Sequence, residues 1–190
     1  MKSILTFHGG AGSVTGANFL LDAGSKKFLI DCGTQEQENI CDTVNSRDFA
    51  YDPSKIDVLF VTHGHQDHIG RIPKLVHDGF SGEIHSTFAT KDIAAIMLED
   101  ALNVMTEHAR THGCTPLYSS ADIERALSLW QGHEYHERMQ FGDVDAEFLD
   151  AGHILGSAMV RLTRGGRTIL FSGDLGNTPE PLLQPTESPE

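Results

Sequence analysis

The run Thr62-His63-Gly64-His65-Gln66-Asp67-His68-Ile69-Gly70 follows directly on the apolar stretch Asp57-Val58-Leu59-Phe60-Val61, so four side chains able to ligate a metal leave the end of a buried strand together. His63 and His65 are two residues apart, which on an extended backbone sends both imidazoles to the same side. Gly64 between them imposes no Cβ. Asp67 and His68 come where the chain leaves the strand and therefore point to a neighbouring position. Imidazole nitrogens mixed with carboxylate oxygens suit a hard-to-borderline divalent ion, and the two groups of donors make two adjacent ions plausible.

Two later segments repeat the design of an apolar strand ending in a candidate ligand. Ala146-Glu147-Phe148-Leu149-Asp150-Ala151-Gly152 delivers His153, and Thr168-Ile169-Leu170-Phe171-Ser172-Gly173 delivers Asp174. Glycines beside both allow a close backbone approach. A single strand-end His or Asp is ordinarily structural. It is the agreement of three strand ends that makes His153 and Asp174 candidates.

On these residues the chain resembles the metallo-β-lactamase-fold hydrolases, and within them the β-CASP branch of RNA-processing nucleases. The likeness rests on the Gly-rich opening His8 to Gly16, on Asp31-Cys32-Gly33, on the His63 to His68 run, on Asp150 to Ser157, and on Phe171 to Gly176. It implies an αββα sandwich, a mixed α/β fold. It also implies two Zn2+ ions, one held by His63, His65 and His153, the other by Asp67 and His68, with Asp174 bridging them. Asp31 would stand behind the ligands and accept the free N–H of one imidazole, fixing its tautomer. Asp67 and Asp174 would serve catalysis as well as ligation, in an attack by metal-bound hydroxide on phosphorus.

The family pattern contains more than 190 residues hold. Its second metal takes a further His from a strand far downstream, and its β-CASP insertion brings another catalytic His. The expectation is therefore an amino-terminal portion of the fold, over residues 1–177, without that insertion and without the carboxy-terminal strands. Its second zinc position would be one donor short and only partly occupied. Residues 178–190 carry four of the seven prolines and read as an extended or disordered tail.

Composition narrows the partners. At 39% hydrophobic residues the chain can bury one sizeable core. No apolar run is long enough to span a bilayer, and the opening residues enter a strand rather than a signal peptide, so a cytoplasmic protein without a membrane partner is expected. Cys32, Cys41 and Cys114 make no Cys-x-x-Cys pair and read as reduced thiols. A formal charge of −13 opposes a general electrostatic hold on nucleic acid, so RNA or another phosphodiester substrate is expected to bind weakly to this piece. A homodimer, or pairing with a chain that supplies the missing strands, would cover the open sheet edges.

Periodicity predicts strands near Ile4 to Phe7, Asn18 to Asp22, Lys27 to Ile30, Val58 to Thr62 and Glu83 to Ser86, with strands resuming near Phe141. Helices are predicted over Arg71 to Asp78 and Lys91 to His112, the latter burying Ile93, Met97, Ala101, Val104 and Met105. A third should open at a capping box at Ser119 to Asp122, carry Leu127 and Trp130, and end at Gly132. The segment Gly132 to Glu137 reads as a solvated loop despite its His133, Glu134, His136 and Glu137. Three functional classes fit these features: a metal-dependent phosphodiester hydrolase, a lactone or thioester hydrolase of the same fold, and a zinc-binding half-domain that needs a partner chain.

Overall fold

The structure, a computed structural model, describes residues 2–35, 43–177 and 181–189. Two sheets organise it. The first holds β1 (Ile4–Gly9), β2 (Asn18–Asp22), β3 (Lys27–Ile30), β4 (Val58–Phe60), β5 (Glu83–Thr87) and β6 (Trp130–His133) in sequence order. β1, β2 and β3 pair antiparallel, whereas β3 to β6 run parallel. The second sheet has the order β10-β9-β8-β7, built from β7 (Met139–Phe141), β8 (Val144–Asp150), β9 (Ala158–Arg164) and β10 (Arg167–Phe171), all antiparallel.

The alternation of side chains along β3 and β4 builds two cores at once. Phe28, Ile30, Val58 and Phe60 face the second sheet, where they meet Phe141, Phe148, Val160 and Phe171. Leu29, Leu59 and Val61 point the other way into a layer of helices. That layer contains α2 (Gln66–Ile69), α3 (Ile72–His77), α4 (Phe88–His112) and α5 (Ser120–Ser128), preceded in the chain by the one-turn α1 (Thr43–Ser46). Burying apolar surface on both faces is what fixes these central strands in register, because a one-residue slip would exchange the two cores.

Several expectations are corrected. The segment from Trp130 to Gly132 is not the end of the third helix but edge strand β6, where the Trp130 Nε1 donates to Ser86 Oγ at 2.8 Å. The preference of Trp for this buried cross-strand contact overrides the helical pattern that reaches Leu127. Helix α4 begins at Phe88, capped by Thr87, whose Oγ1 accepts from the Thr90 N–H. Its buried line runs through Thr90, Ala94 and Leu98, with Met97 and Met105 of the predicted stripe packed partly buried against the same core, whereas Val104 is 46% exposed. Strand β4 stops at Phe60, two residues before the predicted end.

Cys32 is a buried free thiol, as expected, whereas Cys114 is disulfide-bonded; Cys41 lies outside the described residues. The described part of the tail is extended but anchored. The Glu187 N–H donates to Asp150 O at 3.0 Å and Thr186 Oγ1 donates to Ala151 O at 2.9 Å. Among the described residues, no helix is long and apolar enough to cross a membrane.

Candidate metal centre

The predicted run emerges between the two cores. β4 ends at Phe60, Thr62 crosses towards the second sheet, where its carbonyl accepts the Ala158 N–H at 2.8 Å, and His63 follows. The chain then turns into α2, with the His65 carbonyl accepting the N–H groups of His68 and Ile69. Two close approaches hold this loop in place. A Cβ on Gly33 would lie 1.6 Å from Asp67 O, so only glycine lets the exit of β3 lie under the Asp67-His68 peptide. A Cβ on Gly64 would come within 2.6 Å of Ile93 Cγ2, so α4 packs directly over the His63-Gly64-His65 turn.

The other two arms arrive from the second sheet. His153 sits on the loop after β8, where Ser157 Oγ accepts the N–H groups of His153 at 2.9 Å and Ile154 at 3.2 Å. Asp174 follows β10, and the Gly176 N–H donates to Ala151 O at 2.9 Å, which ties the two arms together. The three strand ends converge: His63, His65, His153 and Asp174 each offer a donor atom within 4.8 Å of all the others. His65 Nδ1 is 3.0 Å from His63 Nε2 and 3.3 Å from His153 Nε2.

Asp174 divides its two oxygens between the predicted groups. Oδ2 faces His153 Nε2 at 3.7 Å and His63 Nε2 at 3.9 Å, while Oδ1 faces His68 Nε2 at 3.4 Å. Asp67 Oδ2 stands 3.8 Å from that same His68 nitrogen. Behind them, Asp31 is fully buried with its Oδ2 2.8 Å from His68 Nδ1, and it adopts φ 57°, a left-handed conformation uncommon for a residue other than glycine.

The electrostatics differ between the two groups. Burial pushes the His63 imidazole down to about 2, assisted by the neighbouring His68, His65 and His153. Burial likewise lowers His65. Both are thereby kept neutral, the form that donates a lone pair to a metal. Burial would lower His68 too, but Asp31, then Asp67 and Asp174, outweigh it and push it up to about 9. His68 thus holds a proton where three carboxylates converge, and a divalent cation would satisfy the same carboxylates. Three nitrogens and a carboxylate in the first group, with two carboxylates and an imidazole in the second, fit zinc chemistry.

A cleft of about 370 Å³ lined by Phe7, Val14, Phe19 and Phe171 opens onto His68 and Asp174, so these two donors are reachable from outside. His8 lies apart from the cluster, its ring packed on Tyr51 at 4.8 Å. The segment read as a solvated loop is corrected at its start only: Gly132 and His133 belong to β6, whereas Glu134, His136 and Glu137 lie on an exposed turn. His133 is largely buried, with Nε2 2.8 Å from His85 Nδ1 and Nδ1 2.9 Å from Glu137 Oε1. Because each ring nitrogen faces a different partner, this chain of contacts has no common focus for an ion. Thr62, at the start of the predicted run, carries no local sign of a role at the site, yet its hydroxyl lies 3.0 Å from His63 Nδ1.

Comparison with known proteins agrees with this architecture. A ribonuclease of Thermus thermophilus is 40% identical over 182 residues, covering 93% of this chain and 40% of its own length. Cleavage and polyadenylation specificity factor 73 of Drosophila melanogaster is 32% identical over 95% of this chain and 26% of its own. An RNase J-like protein of Methanocaldococcus jannaschii is 28% identical over 97% of this chain and 39% of its own. The chain thus spans between about a quarter and two-fifths of these relatives. Among solved structures, the metallo-β-lactamase-fold protein YhfI of Bacillus subtilis superposes with a TM-score of 0.55 at 18% identity, over 90% of this chain and 62% of that one. A metallo-β-lactamase motif mutant from Cronobacter sakazakii superposes with a TM-score of 0.57 at 14% identity, over 96% and 66%. These two identities carry the fold alone. The family model described as anti-Pycsar protein Apyc1 matches residues 7–188. The chain therefore belongs to that family, has the metallo-β-lactamase fold, and counts β-CASP ribonucleases among its curated relatives.

Proposed function

We propose that this chain is the metal-holding part of a metal-dependent phosphodiester hydrolase acting on RNA. The observation that carries the reading is the meeting of His63, His65, His153 and Asp174 within 4.8 Å at the ends of three strands. Similarity to proteins named as ribonucleases supports the substrate class. His63, His65 and His153 would hold one zinc, Asp67 and His68 a second, with Asp174 between them. The second group is one donor short of a closed tetrahedral site even with Asp174 counted, which leaves a position for solvent, substrate or another chain. Bound there, the metal supplies Lewis acidity and lowers the pKa of water towards about 7.

The chain's own residues would bind, orient and shield. Asp174 sets the spacing of the two donor groups through its separate oxygens, and Asp67 at the mouth can orient a nucleophile by accepting its proton. Asp31 holds His68. Packing of α4 over the His63-Gly64-His65 turn keeps water from that side of the cluster. An acidic chain of net charge −13 offers RNA little general attraction, so tight RNA binding belongs to a surface beyond these residues, in the same polypeptide or a partner.

Metal per purified chain, measured beside cleavage of an RNA oligonucleotide, a bis-aryl phosphodiester and a lactone, tests the reading for wild type and His65→Ala. At least about one zinc per chain, phosphodiester cleavage that follows zinc loading, and loss of both in the variant are expected. Metal binding with lactone but no phosphodiester turnover would move the chain to the small-molecule hydrolases. Metal binding with no turnover of any kind would leave a half-domain that requires its partner.

A further inference from the structure

The Thr62 hydroxyl lies beside an imidazole from each of the two candidate donor groups. Its Oγ1 is 2.9 Å from Asp31 Oδ2, 3.0 Å from His63 Nδ1 and 3.3 Å from His68 Nδ1, and its own N–H donates to Asp31 Oδ1 at 2.8 Å. Asp31 as a carboxylate can only accept. The single hydroxyl proton of Thr62 is therefore committed to Asp31 Oδ2, and its lone pairs are what remain for His63. A hydroxyl that can only accept requires a donor opposite, which is the Nδ1–H form of His63. That form leaves Nε2 with the lone pair, and Nε2 is the atom that faces His65 Nδ1 and Asp174 Oδ2.

The same carboxylate does the corresponding work on the other side. His68 Nδ1–H donates to Asp31 Oδ2, so Nε2 is the nitrogen presented to Asp67 and Asp174. Water does not compete for these contacts, because Asp31, Thr62 and His63 are each at most 1% exposed. The Thr62 backbone from which the hydroxyl projects is held at both ends, its carbonyl accepting the Ala158 N–H and its own N–H donating to Asp31 Oδ1.

We infer that Thr62 is a positioning residue that selects the Nδ1–H tautomer of His63, so that one Asp31-Thr62 pair orients a ligand nitrogen in each of the two donor groups. The inference rests on the metal-site reading proposed above and deepens it. A partner that fixes a ligand imidazole typically contributes about 10–100-fold to metal affinity.

Thr62→Val keeps the branched shape and the backbone contacts while removing the hydroxyl, and Thr62→Ser restores the hydroxyl. Cobalt affinity by chelator competition, with the cobalt absorption spectrum, is measured for wild type and both variants. Thr62→Val should weaken cobalt binding about 10–100-fold with an altered spectrum, and Thr62→Ser should return to within about threefold of wild type. In parallel, imidazole 15N shifts of the metal-free wild type should report His63 protonated at Nδ1; this readout requires no variant to fold. Equal cobalt affinity and spectrum in Thr62→Val, or His63 protonated at Nε2, would overturn the inference. A wild type with that tautomer that binds no metal would instead overturn the metal-site reading.

Discussion

His153 Nε2 lies 3.3 Å from His65 Nδ1, across a gap of 88 residues in sequence and from one sheet to the other. No local preference brings them together; the sandwich does. His153→Ala removes a nitrogen from the group of four without disturbing either core, since the side chain is 26% exposed at the mouth of the cluster. Zinc affinity should fall by more than about 100-fold, beyond the effect of losing an outer partner, while the metal-free unfolding free energy stays within about 0.5 kcal/mol of wild type. Calorimetric titration with zinc beside urea unfolding checks both halves.

The sequence made these residues legible because ligands at a strand end carry two signals, an apolar run and a cluster of donors. Asp31 was legible only through the family pattern, since one Asp after Ile30 has no local signature. Thr62 and the His85-His133 pair were not legible. A β-branched residue at a strand end reads as packing, and the partners of His133 come from β5 and from the turn after β6. The misplacement of Trp130 has the same origin. Helical spacing in α5 continues smoothly past Ser128, and only the parallel pairing of Ile84 with Trp130 decides against it.

Asp31 is the buried acceptor for three donors, the N–H and hydroxyl of Thr62 and the imidazole of His68. Asp31→Asn keeps a side chain tolerant of the left-handed backbone but replaces one accepting oxygen with a donor. At least one of the three contacts becomes donor against donor at a fully buried position. A loss of about 3 kcal/mol in metal-free stability is expected by urea unfolding, together with weaker zinc binding. A variant as stable as wild type would show that the carboxylate bears no structural role.

Gly33 has the tightest approach at the centre, because Asp67 O stands where its Cβ would be. Gly33→Ala must push α2 away from β3, breaking the contacts of Cys32 N–H with His68 O at 2.8 Å and of Thr34 N–H with Gln66 O at 3.0 Å. Destabilisation of about 3 kcal/mol is expected, with a larger loss of zinc affinity in the Asp67-His68 group than in the His63-His65-His153 group. Stepwise zinc titration resolves the two groups. A uniform loss in both would contradict the local origin of the effect.

Asp122 links the start of α5 to the helix layer, accepting the Ser119 N–H at 2.9 Å and the Ser119 hydroxyl at 2.7 Å, with His77 Nδ1 at 3.3 Å. Burial alone would raise its pKa, but the Ser119 hydrogen bonds and then His77 outweigh burial and hold it below the usual 3.8. A carboxylate lowered in the folded state contributes stability that is complete above its unfolded value and is lost as the pH falls through the folded one. Wild type should therefore exceed Asp122→Asn by about 1 kcal/mol from pH 5 upwards, and the difference should shrink below about pH 4. Urea unfolding of both chains across that range is the measurement. A difference that widened on acidification would mean that the carboxylate is raised rather than lowered, and the capping contacts would then contribute less than the burial they offset.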